Sequence, residues 1–401
     1  MPLVFVHGVS VRAGDSYDRQ LEFRNAAFRR HVTPNPAASI YSPFWGAAGA
    51  RAAWHHASLP GEPVLRLDAL GPQDTVTVEQ VLITEEAAGH SHPRTVLLEV
   101  ARQDFPEAIE LLVSTAIEES GLPPEELVSI AVVLEGYSKR EPQPTWVFEV
   151  THDYEFLERL RHEARARLTI TGSANSGARQ AAAAWSETVW SDSTWDGLRA
   201  AIDRIREAIA NWRWGQPGRS LRRTIQPYVT NFFGDIFVYL ESRGTRDEPG
   251  EIMQPVCRAL EAAADEATAD DPVIVVAHSM GANIVYDALS HFCPDVQVET
   301  LITVGNQIGW FEEMKLFAAS DRSIPNPQQP RALKLRNVGR WLNIIDASDY
   351  LAYAVEPIFE GAKDISFASG RGPLAAHTEY FKNIDFYLLL GEQVNAAAET
   401  V

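Results

Sequence analysis

The chain has 401 residues, 45% of them hydrophobic and 22% charged, which is typical of a globular protein with more than one domain. Acidic residues outnumber basic ones by 54 to 35, so the net charge is −19 at pH 7 and the surface repels nucleic-acid phosphates and anionic lipid headgroups. The two cysteines, Cys257 and Cys293, are too few for a disulfide framework or a four-thiolate zinc site, and we expect both to be buried thiols.

The sequence also lacks the patterns of membrane and secretion segments. Its longest apolar runs, such as PVIVVA, are shorter than the roughly 18 to 20 residues that a transmembrane helix needs. Met1 and Pro2 lead directly into LVFV, with neither the basic segment nor the small-residue cleavage site of a signal peptide. We therefore expect a cytoplasmic protein with no integral membrane segment.

The first 50 residues follow a strand–helix–strand pattern. LVFVH is apolar almost throughout and is followed by a glycine, as in a strand that is buried on both faces of a sheet. A helix is predicted from about Tyr17 to His31, because its apolar residues recur on one side. ASIYSPFWG then predicts a second strand.

Residues 51–229 depart from this pattern, and we interpret them as an inserted α+β domain. Strands are predicted at residues 75–85, 95–101 and 145–150. Asp104 is placed to cap a helix that starts near Phe105, Ser193 is placed to cap another, and a third starts near Tyr154. A folded unit in a surface loop adds little loop-closure entropy. We expect this insert to act as a cap over a site in the core, or as a surface that binds a protein partner.

The strand–helix alternation returns from about residue 230 to residue 401. Buried strands that alternate with helices predict a mostly parallel sheet covered by helices on both faces, so the fold class is α/β. The core would then be discontinuous and comprise residues 1–50 and 230–401. The predicted elements are a helix at Glu251–Thr268, a strand at PVIVVA, a helix at Ala282–Phe292, strands at Val298–Val304 and Trp341–Ile345, and a last helix that contains Phe386–Leu390.

One junction between a strand and a helix, VVAHSMG at residues 275–281, contains a serine in a distinctive setting. The pattern G-x-S-x-G holds a serine hydroxyl on a strained turn at the carboxyl end of a strand, and only small residues fit where the strand and the helix pass closely. Gly281 keeps the second glycine of the pattern, and Ala277 replaces the first with one extra methyl group. We predict that Ser279 is a nucleophile and that the adjacent His278 is a packing residue.

His7 and Gly8 end the first predicted strand. In this architecture the loop after that strand supplies one backbone N–H to an oxyanion hole, and the residue after the serine supplies the other. The predicted donors are therefore Val9, or a neighbour such as Ser10, and Met280. His7 and Gly8 would support them, since a glycine lets the backbone approach the substrate oxygen closely.

Four segments, LVFVHG, VVAHSMG, WLNIIDASDYLAY and AHTEYF, together resemble the α/β-hydrolase superfamily in its lipase and esterase branch. The resemblance covers roughly residues 1–50 and 230–401 and leaves the insert out. It implies a serine hydrolase whose triad follows the chain order serine, acid, histidine. It implies no cofactor and no metal, and the sequence has no H-E-x-x-H, P-loop or G-x-G-x-x-G pattern.

This chain order implies the other two members of the triad. Only His291 and His377 follow the serine, and His291 lies near the end of the next helix, about 18 Å along its axis. His377 precedes the last helix in a loop that contains glycine and proline, where the family places its base. The strand WLNII leads into Asp346 and Asp349. The family pattern favours Asp349 as the acid, with Asp346 as the alternative.

The resemblance implies cleavage of a carboxylic ester through an acyl-enzyme on Ser279, with a small-molecule or lipid-like acyl ester as the substrate. Acyl transfer and the hydrolysis of thioesters or amides use the same residues and remain alternatives. The alternative from another class is a non-catalytic scaffold that resembles a hydrolase and acts through its insert.

Overall fold

The computed structural model describes residues 1–33, 35, 37–53, 94–119, 121–171, 189–213, 217–369 and 373–396. Its strands are β1 (Leu3–Val6), β2 (Ile40–Tyr41), β3 (Ile274–His278), β4 (Val298–Val304), β5 (Val338–Asp346) and β6 (Ala362–Phe367). They form one sheet in the order β2-β1-β3-β4-β5-β6, and each neighbouring pair is parallel. The protein therefore belongs to the α/β class.

The pairing of β1 with β3 joins the amino-terminal segment to the carboxyl-terminal half of the chain. Leu3 lies opposite Ile274 and Val6 lies opposite Ala277, so the two strands end at nearly the same level. The segments that follow them consequently meet at the carboxyl edge of the sheet. In open parallel sheets, this edge is where ligands bind.

Helices cover both faces of this sheet. They are α1 (Asp15–His31), α2 (Val96–Gln103), α3 (Phe105–Glu119), α4 (Pro124–Arg140), α5 (Asp153–Thr171), α6 (Asp192–Arg213), α7 (Pro217–Ser242), α8 (Met253–Glu266), α9 (Met280–Asp287), α10 (Ile308–Glu313), α11 (Pro373–Glu379) and α12 (Ile384–Asn395). A π-helical turn, Ala288–Phe292, continues α9.

Alternate side chains of the strands enter two separate hydrophobic clusters, as the pleat of a β-strand requires. Leu3 and Phe5 of β1 belong to a cluster with α1, α12 and helices α2 to α6. Val4 and Val6 belong to the cluster on the opposite face, together with α7 to α10. Helix α4 packs against α1 and α12, so the described helices of the insert extend the first of these two layers.

The insert differs from its prediction. Residues 95–101, predicted as a strand, form α2, and residues 145–150 contain a 3-10 turn at Thr145–Phe148 instead of a strand. Both runs are short and apolar, and periodicity alone does not separate a short buried strand from a buried helix. Packing against α3, α5 and α6 holds α2 as a helix. All regular elements in the described part of residues 51–229 are helical, and residues 75–85 lie outside that part.

The ends of three insert helices refine the prediction further. Asp104 caps α3 as predicted, because its carboxylate accepts a hydrogen bond of 3.0 Å from the backbone N–H of Glu107. At the start of α6 the capping residue is Ser191 rather than Ser193, and its hydroxyl accepts from the N–H of Thr194 at 3.2 Å. Helix α7 runs through residue 230, where the core was predicted to resume.

None of the helices described is both long and apolar enough to cross a membrane.

The core is closer to its prediction. Strand β4 has the predicted bounds, and β3, β5, α1, α8 and α12 lie where the pattern placed them. Strand β2 is shorter than predicted. Strand β6, at one edge of the sheet, was not predicted because polar residues interrupt its apolar ones and it is only partly buried. Cys257 and Cys293 are buried free thiols, as expected.

Candidate active site

Ser279 occupies a tight turn between β3 and α9. Its φ of 52° and ψ of −131° lie in a region that residues other than glycine rarely adopt, and its N–H donates to Val304 O at 2.9 Å. A Cβ atom on Gly281 would lie 2.3 Å from His7 O, so only glycine fits there. Ala277 is fully buried at the end of β3. This strand–turn–helix arrangement is the one that the sequence predicted around the serine.

Three side chains predicted to act together form a chain of hydrogen bonds at this edge of the sheet. The Nδ1–H of His377 donates to the two carboxylate oxygens of Asp349 at 2.9 and 3.0 Å, and Nε2 lies 2.9 Å from Ser279 Oγ. A carboxylate only accepts, so Nδ1 carries the proton of the neutral ring and Nε2 accepts from the serine hydroxyl. The exposed fractions of Ser279, His377 and Asp349 are 1%, 3% and 4%, so the chain of bonds is shielded from water.

Asp349 rather than Asp346 contacts the imidazole. Besides His377, the Asp349 carboxylate accepts from the backbone N–H of Leu351 at 2.9 Å. The Asp346 carboxylate instead accepts from the backbone N–H groups of Ser348 and Ser369, at 2.8 and 2.7 Å. Asp346 therefore holds the loop after β5 and does not contact the histidine.

Tyr380 supports the same carboxylate and was not predicted. Its hydroxyl donates to Asp349 Oδ2 at 3.1 Å and accepts from the backbone N–H of Asp346 at 3.0 Å. Burial, and next the charge of Asp349, raises the pKa of Tyr380, so the hydroxyl stays protonated and remains a donor. Its position three residues after the predicted base, in AHTEYF, was the only signal for it.

Gly305 is a second residue that the sequence reading missed. It follows β4 with a φ of 52°, and a Cβ there would lie 2.8 Å from Asp349 Oδ2 and 2.9 Å from the Tyr380 ring. Glycine is needed for both reasons, because a side chain would be strained and would displace the carboxylate.

His278, predicted as a packing residue, donates from Nε2 to His377 O at 2.9 Å. Desolvation lowers the pKa of His278 to about 3, so the ring is neutral.

His7 anchors the loop on the other side of the serine. Its Nδ1–H donates to Gly8 O at 2.8 Å, and its Nε2 accepts from the backbone N–H of Trp45 at 3.3 Å. The His7 ring stacks on the Trp45 indole, which donates to His7 O at 2.8 Å. Burial lowers the pKa of His7 to about 3, which agrees with a neutral ring that both donates and accepts.

The predicted backbone donors lie in this loop and at the start of α9. A Cβ on Gly8 would come within 2.8 Å of Ser279 Cβ, so the loop passes directly against the serine. The N–H of Ser10 donates to Asp235 Oδ2 at 2.8 Å and is thereby occupied. Within the described ranges, the N–H of Val9 has no acceptor. Met280 is the first residue of α9, so its N–H has no partner within the helix.

The arrangement has the parts that activate a serine oxygen. A hydroxyl whose proton can pass to a neutral imidazole, which a buried carboxylate orients, is a competent nucleophile. Among the described residues, no group of three or more His, Cys, Asp or Glu side chains could hold a metal ion. Comparison of the chain with protein-family models, with curated proteins and with solved structures finds no match in any of the three.

Proposed function

We propose that the protein is a serine hydrolase of the α/β-hydrolase type and that it cleaves carboxylic esters through an acyl-enzyme on Ser279. The observation that carries the proposal is the position of His377 between two partners, 2.9 Å from the serine oxygen and 2.9 Å from the Asp349 carboxylate. The position of the serine on a strained turn at the carboxyl end of β3 also supports it.

The proposed reaction has two halves. In the first, Ser279 Oγ bonds to the ester carbonyl carbon while its proton passes to Nε2 of His377, and the carbonyl electron pair moves onto oxygen. The tetrahedral intermediate collapses, the bond to the alkoxide breaks, and His377 gives the proton to the leaving alcohol. In the second half, water repeats these steps on the acyl-enzyme and releases the acid. Asp349 stabilises the charged imidazole throughout and keeps its own negative charge.

The negative oxygen of both intermediates needs hydrogen-bond donors. We assign this role to the backbone N–H groups of Val9 and Met280, because the loop at Gly8 touches the serine and neither group is committed to another acceptor in the described residues. One such donor typically contributes about 10²- to 10³-fold in rate. Ser10 is not proposed for this role, since Asp235 accepts its N–H.

The described helices of the insert, α2 to α6, pack in the layer with α1 and α12. The loop after β1 instead meets α7 through Asp235, a residue outside 51–229. The role of the insert as a cap or as a protein-binding surface remains a proposal from the sequence. The substrate class that fits the site is an acyl ester, small or lipid-like.

A fluorophosphonate probe tests the proposal, because it reacts much faster with an activated serine than with an ordinary hydroxyl and leaves a stable adduct. We expect wild-type protein to be labelled and a peptide that contains Ser279 to carry the adduct in mass spectrometry. Ser279→Ala should abolish labelling. The matched control is Ser290→Ala, which removes a hydroxyl from the turn that continues α9 and should label normally.

The outcomes separate the candidate functions. If the wild-type protein is not labelled, the non-catalytic scaffold replaces the hydrolase. If it is labelled, a panel of esters, thioesters and amides of matched acyl groups identifies the leaving group that it cleaves. Adding an acceptor alcohol distinguishes transfer from hydrolysis, since an acyltransferase would give the new ester faster than the free acid.

A further inference from the structure

Asp235 is a fully buried carboxylate between α7 and the loop that follows β1. It receives four hydrogen bonds: from the backbone N–H groups of Ser10 at 2.8 Å and Ala50 at 2.6 Å, and from the Arg12 guanidinium at 2.8 and 3.2 Å. A buried carboxylate is stable only when its charge is compensated in this way. Asp235 is therefore a fixed acceptor around which the two backbone segments are arranged.

The loop adopts its path because of these contacts. Ser10 has a φ of 60°, a conformation that is strained for a residue other than glycine and that persists only where the surroundings impose it. Its N–H is drawn to Asp235, which leaves the preceding N–H, that of Val9, without an acceptor in the described residues. The Arg12 guanidinium also donates hydrogen bonds to Val11 O and Ala50 O, each at 3.0 Å.

The approach of the second segment to Asp235 is equally close. A Cβ on Gly49 would lie 2.5 Å from Asp235 Oδ1, so the backbone before Ala50 can reach the carboxylate only without a side chain. The first segment, the loop after β1, contacts Ser279 through Gly8. A displacement at Asp235 would consequently move the backbone that lies against the serine.

We propose that Asp235 is a positioning residue for the proposed oxyanion hole and that it holds the N–H of Val9 beside Ser279. It acts through the loop and touches no substrate. This inference rests on the proposed function, and it adds a residue of α7 to a site that is otherwise formed by the loops at the edge of the sheet.

A second buried carboxylate provides a matched control. Asp287, at the end of α9, is also fully buried and accepts from the Tyr239 hydroxyl, from Arg243 at 3.0 Å and from the backbone N–H of Ala318 at 2.9 Å. Two of its partners, Tyr239 and Arg243, lie in or directly after α7. Asp287 thus resembles Asp235 in burial, in its arginine partner and in its contact with α7, but among the described residues none of its hydrogen bonds reaches the loop after β1.

The experiment compares Asp235→Asn with Asp287→Asn on an ester and on the thionoester of the same structure. A thionoester develops its charge on sulfur, which accepts hydrogen bonds poorly and gains little from an oxyanion hole. The ratio of the two kcat/KM values therefore reports the donors, whereas a general loss of folded protein lowers both values equally. Thermal unfolding of both variants is measured in parallel.

We expect Asp235→Asn to lower kcat/KM for the ester by about 10- to 100-fold, mainly through kcat, and to lower the ester-to-thionoester ratio by about tenfold. Asp287→Asn should lower the unfolding temperature and leave the ratio as in wild type. Arg12→Gln removes a half-exposed partner of the same carboxylate, and we expect a smaller fall in the ratio. It provides the decisive measurement if Asp235→Asn does not fold.

An unchanged ratio in the folded Asp235 variant, or in Arg12→Gln if that variant alone folds, would overturn the inference. An equal fall of the ratio in both aspartate variants would overturn it as well, since the effect would then follow from any loosening around α7. Failure of the proposed function is visible separately, because wild-type protein would then neither hydrolyse the ester nor label at Ser279.

Discussion

The two sides of the candidate site are held in place in different ways. On one side, Ser279, His377 and Asp349 hold one another through side-chain hydrogen bonds, so each group of the proposed chemistry also supports its neighbour. On the other side, the groups proposed to act are backbone N–H groups. The loop that carries one of them, Val9, is supported by Trp45 through His7 and by Asp235 through Ser10.

This difference separates two kinds of damage. Replacement of a residue on the first side removes a reacting group and its neighbour's support together, so the loss of rate should be large. Replacement on the second side moves a donor that remains present, so the loss should be smaller and should depend on how far the loop relaxes. Variants on each side can therefore be ranked by the size of their effects.

The largest effect is expected from His377→Ala, which removes the proton acceptor of Ser279. We expect kcat for ester hydrolysis to fall on the order of 10⁵-fold or more, because the groups of such a triad act as a unit. His291→Gln is the control, since it replaces the other histidine downstream of the serine and should leave the rate unchanged. Retention of even a tenth of the wild-type rate by His377→Ala would contradict the proposed role.

The next effect distinguishes the two acids that the sequence offered. Asp349→Asn should lower kcat by about 10⁴-fold, because an amide favours the wrong tautomer of His377. Asp346→Asn leaves the imidazole contact intact and should lower the rate by less than about tenfold. Its main effect should be on stability, about 1 to 2 kcal/mol, through weaker bonds to the N–H groups of Ser348 and Ser369. Equal losses of rate in the two variants would contradict this assignment.

A third pair of variants tests the turn that joins the two sides. Gly281→Ala places a Cβ 2.3 Å from His7 O and 2.6 Å from Val6 O, and both are backbone atoms of β1 or its end. We expect it to lower the free energy of unfolding by about 3 kcal/mol. Ala277→Gly, which restores the usual glycine, should lower it by about 1 kcal/mol and leave activity nearly unchanged. Urea unfolding measures the free energy of unfolding of both variants. A larger loss for Ala277→Gly than for Gly281→Ala would contradict the view that the close approach of Gly281 to β1 excludes a side chain there.

The effect that is smallest at neutral pH concerns the pH dependence of stability. The pKa of His7 is about 3 in the folded protein, against an ordinary value of 6.5. Between these values the unfolded chain binds a proton that the folded protein does not, so His7 lowers the free energy of unfolding as the pH falls from 6.5 to 3. Above pH 6.5 this loss is absent. His278 has the same shift and adds a second proton.

His7→Asn should therefore flatten the dependence of the unfolding free energy on pH between 6.5 and 3, by about one proton taken up on unfolding. Urea unfolding at several pH values gives this slope for the variant and for wild type. His278→Gln should flatten it to a similar extent. Parallel curves for His7→Asn and wild type would show that the buried ring is not the group that titrates.

Ser279 and the two candidate acids could be predicted because they lie at or just after the ends of apolar strands. His377 lies in α11 rather than in the expected loop, ten residues after the unpredicted β6, and its role came from the family resemblance. A run such as PVIVVA predicts a buried strand, and the topology of a parallel sheet brings the carboxyl ends of such strands together. The choice between Asp346 and Asp349 depended on a resemblance, since Asp346 ends β5 and Asp349 follows it by three residues. Tyr380 and Gly305 were missed because nothing local distinguishes a tyrosine or glycine that touches a carboxylate from one that does not.

The support of the oxyanion side could not be predicted for a different reason. Asp235 lies in the middle of a helix, where an aspartate normally faces solvent, and its partners lie at Ser10, Arg12 and Ala50, far away in sequence. The misread strands of the insert show the same limit. A short apolar run fixes burial, and only its neighbours decide between helix and strand, as the packing of α2 illustrates.

The register of β1 against β3 has a consequence for biosynthesis. Leu3 pairs with Ile274, so β1 is made first and its partner only after the whole insert. At about 5 to 20 residues per second, on the order of half a minute separates the synthesis of the two strands. During that interval the edge of β1 that pairs with β3 is unpaired, and Ser279, which contacts the loop after β1 in the folded protein, has not been synthesised. The site therefore forms late in synthesis, when the sheet closes, and an unfinished chain cannot carry out the proposed hydrolysis.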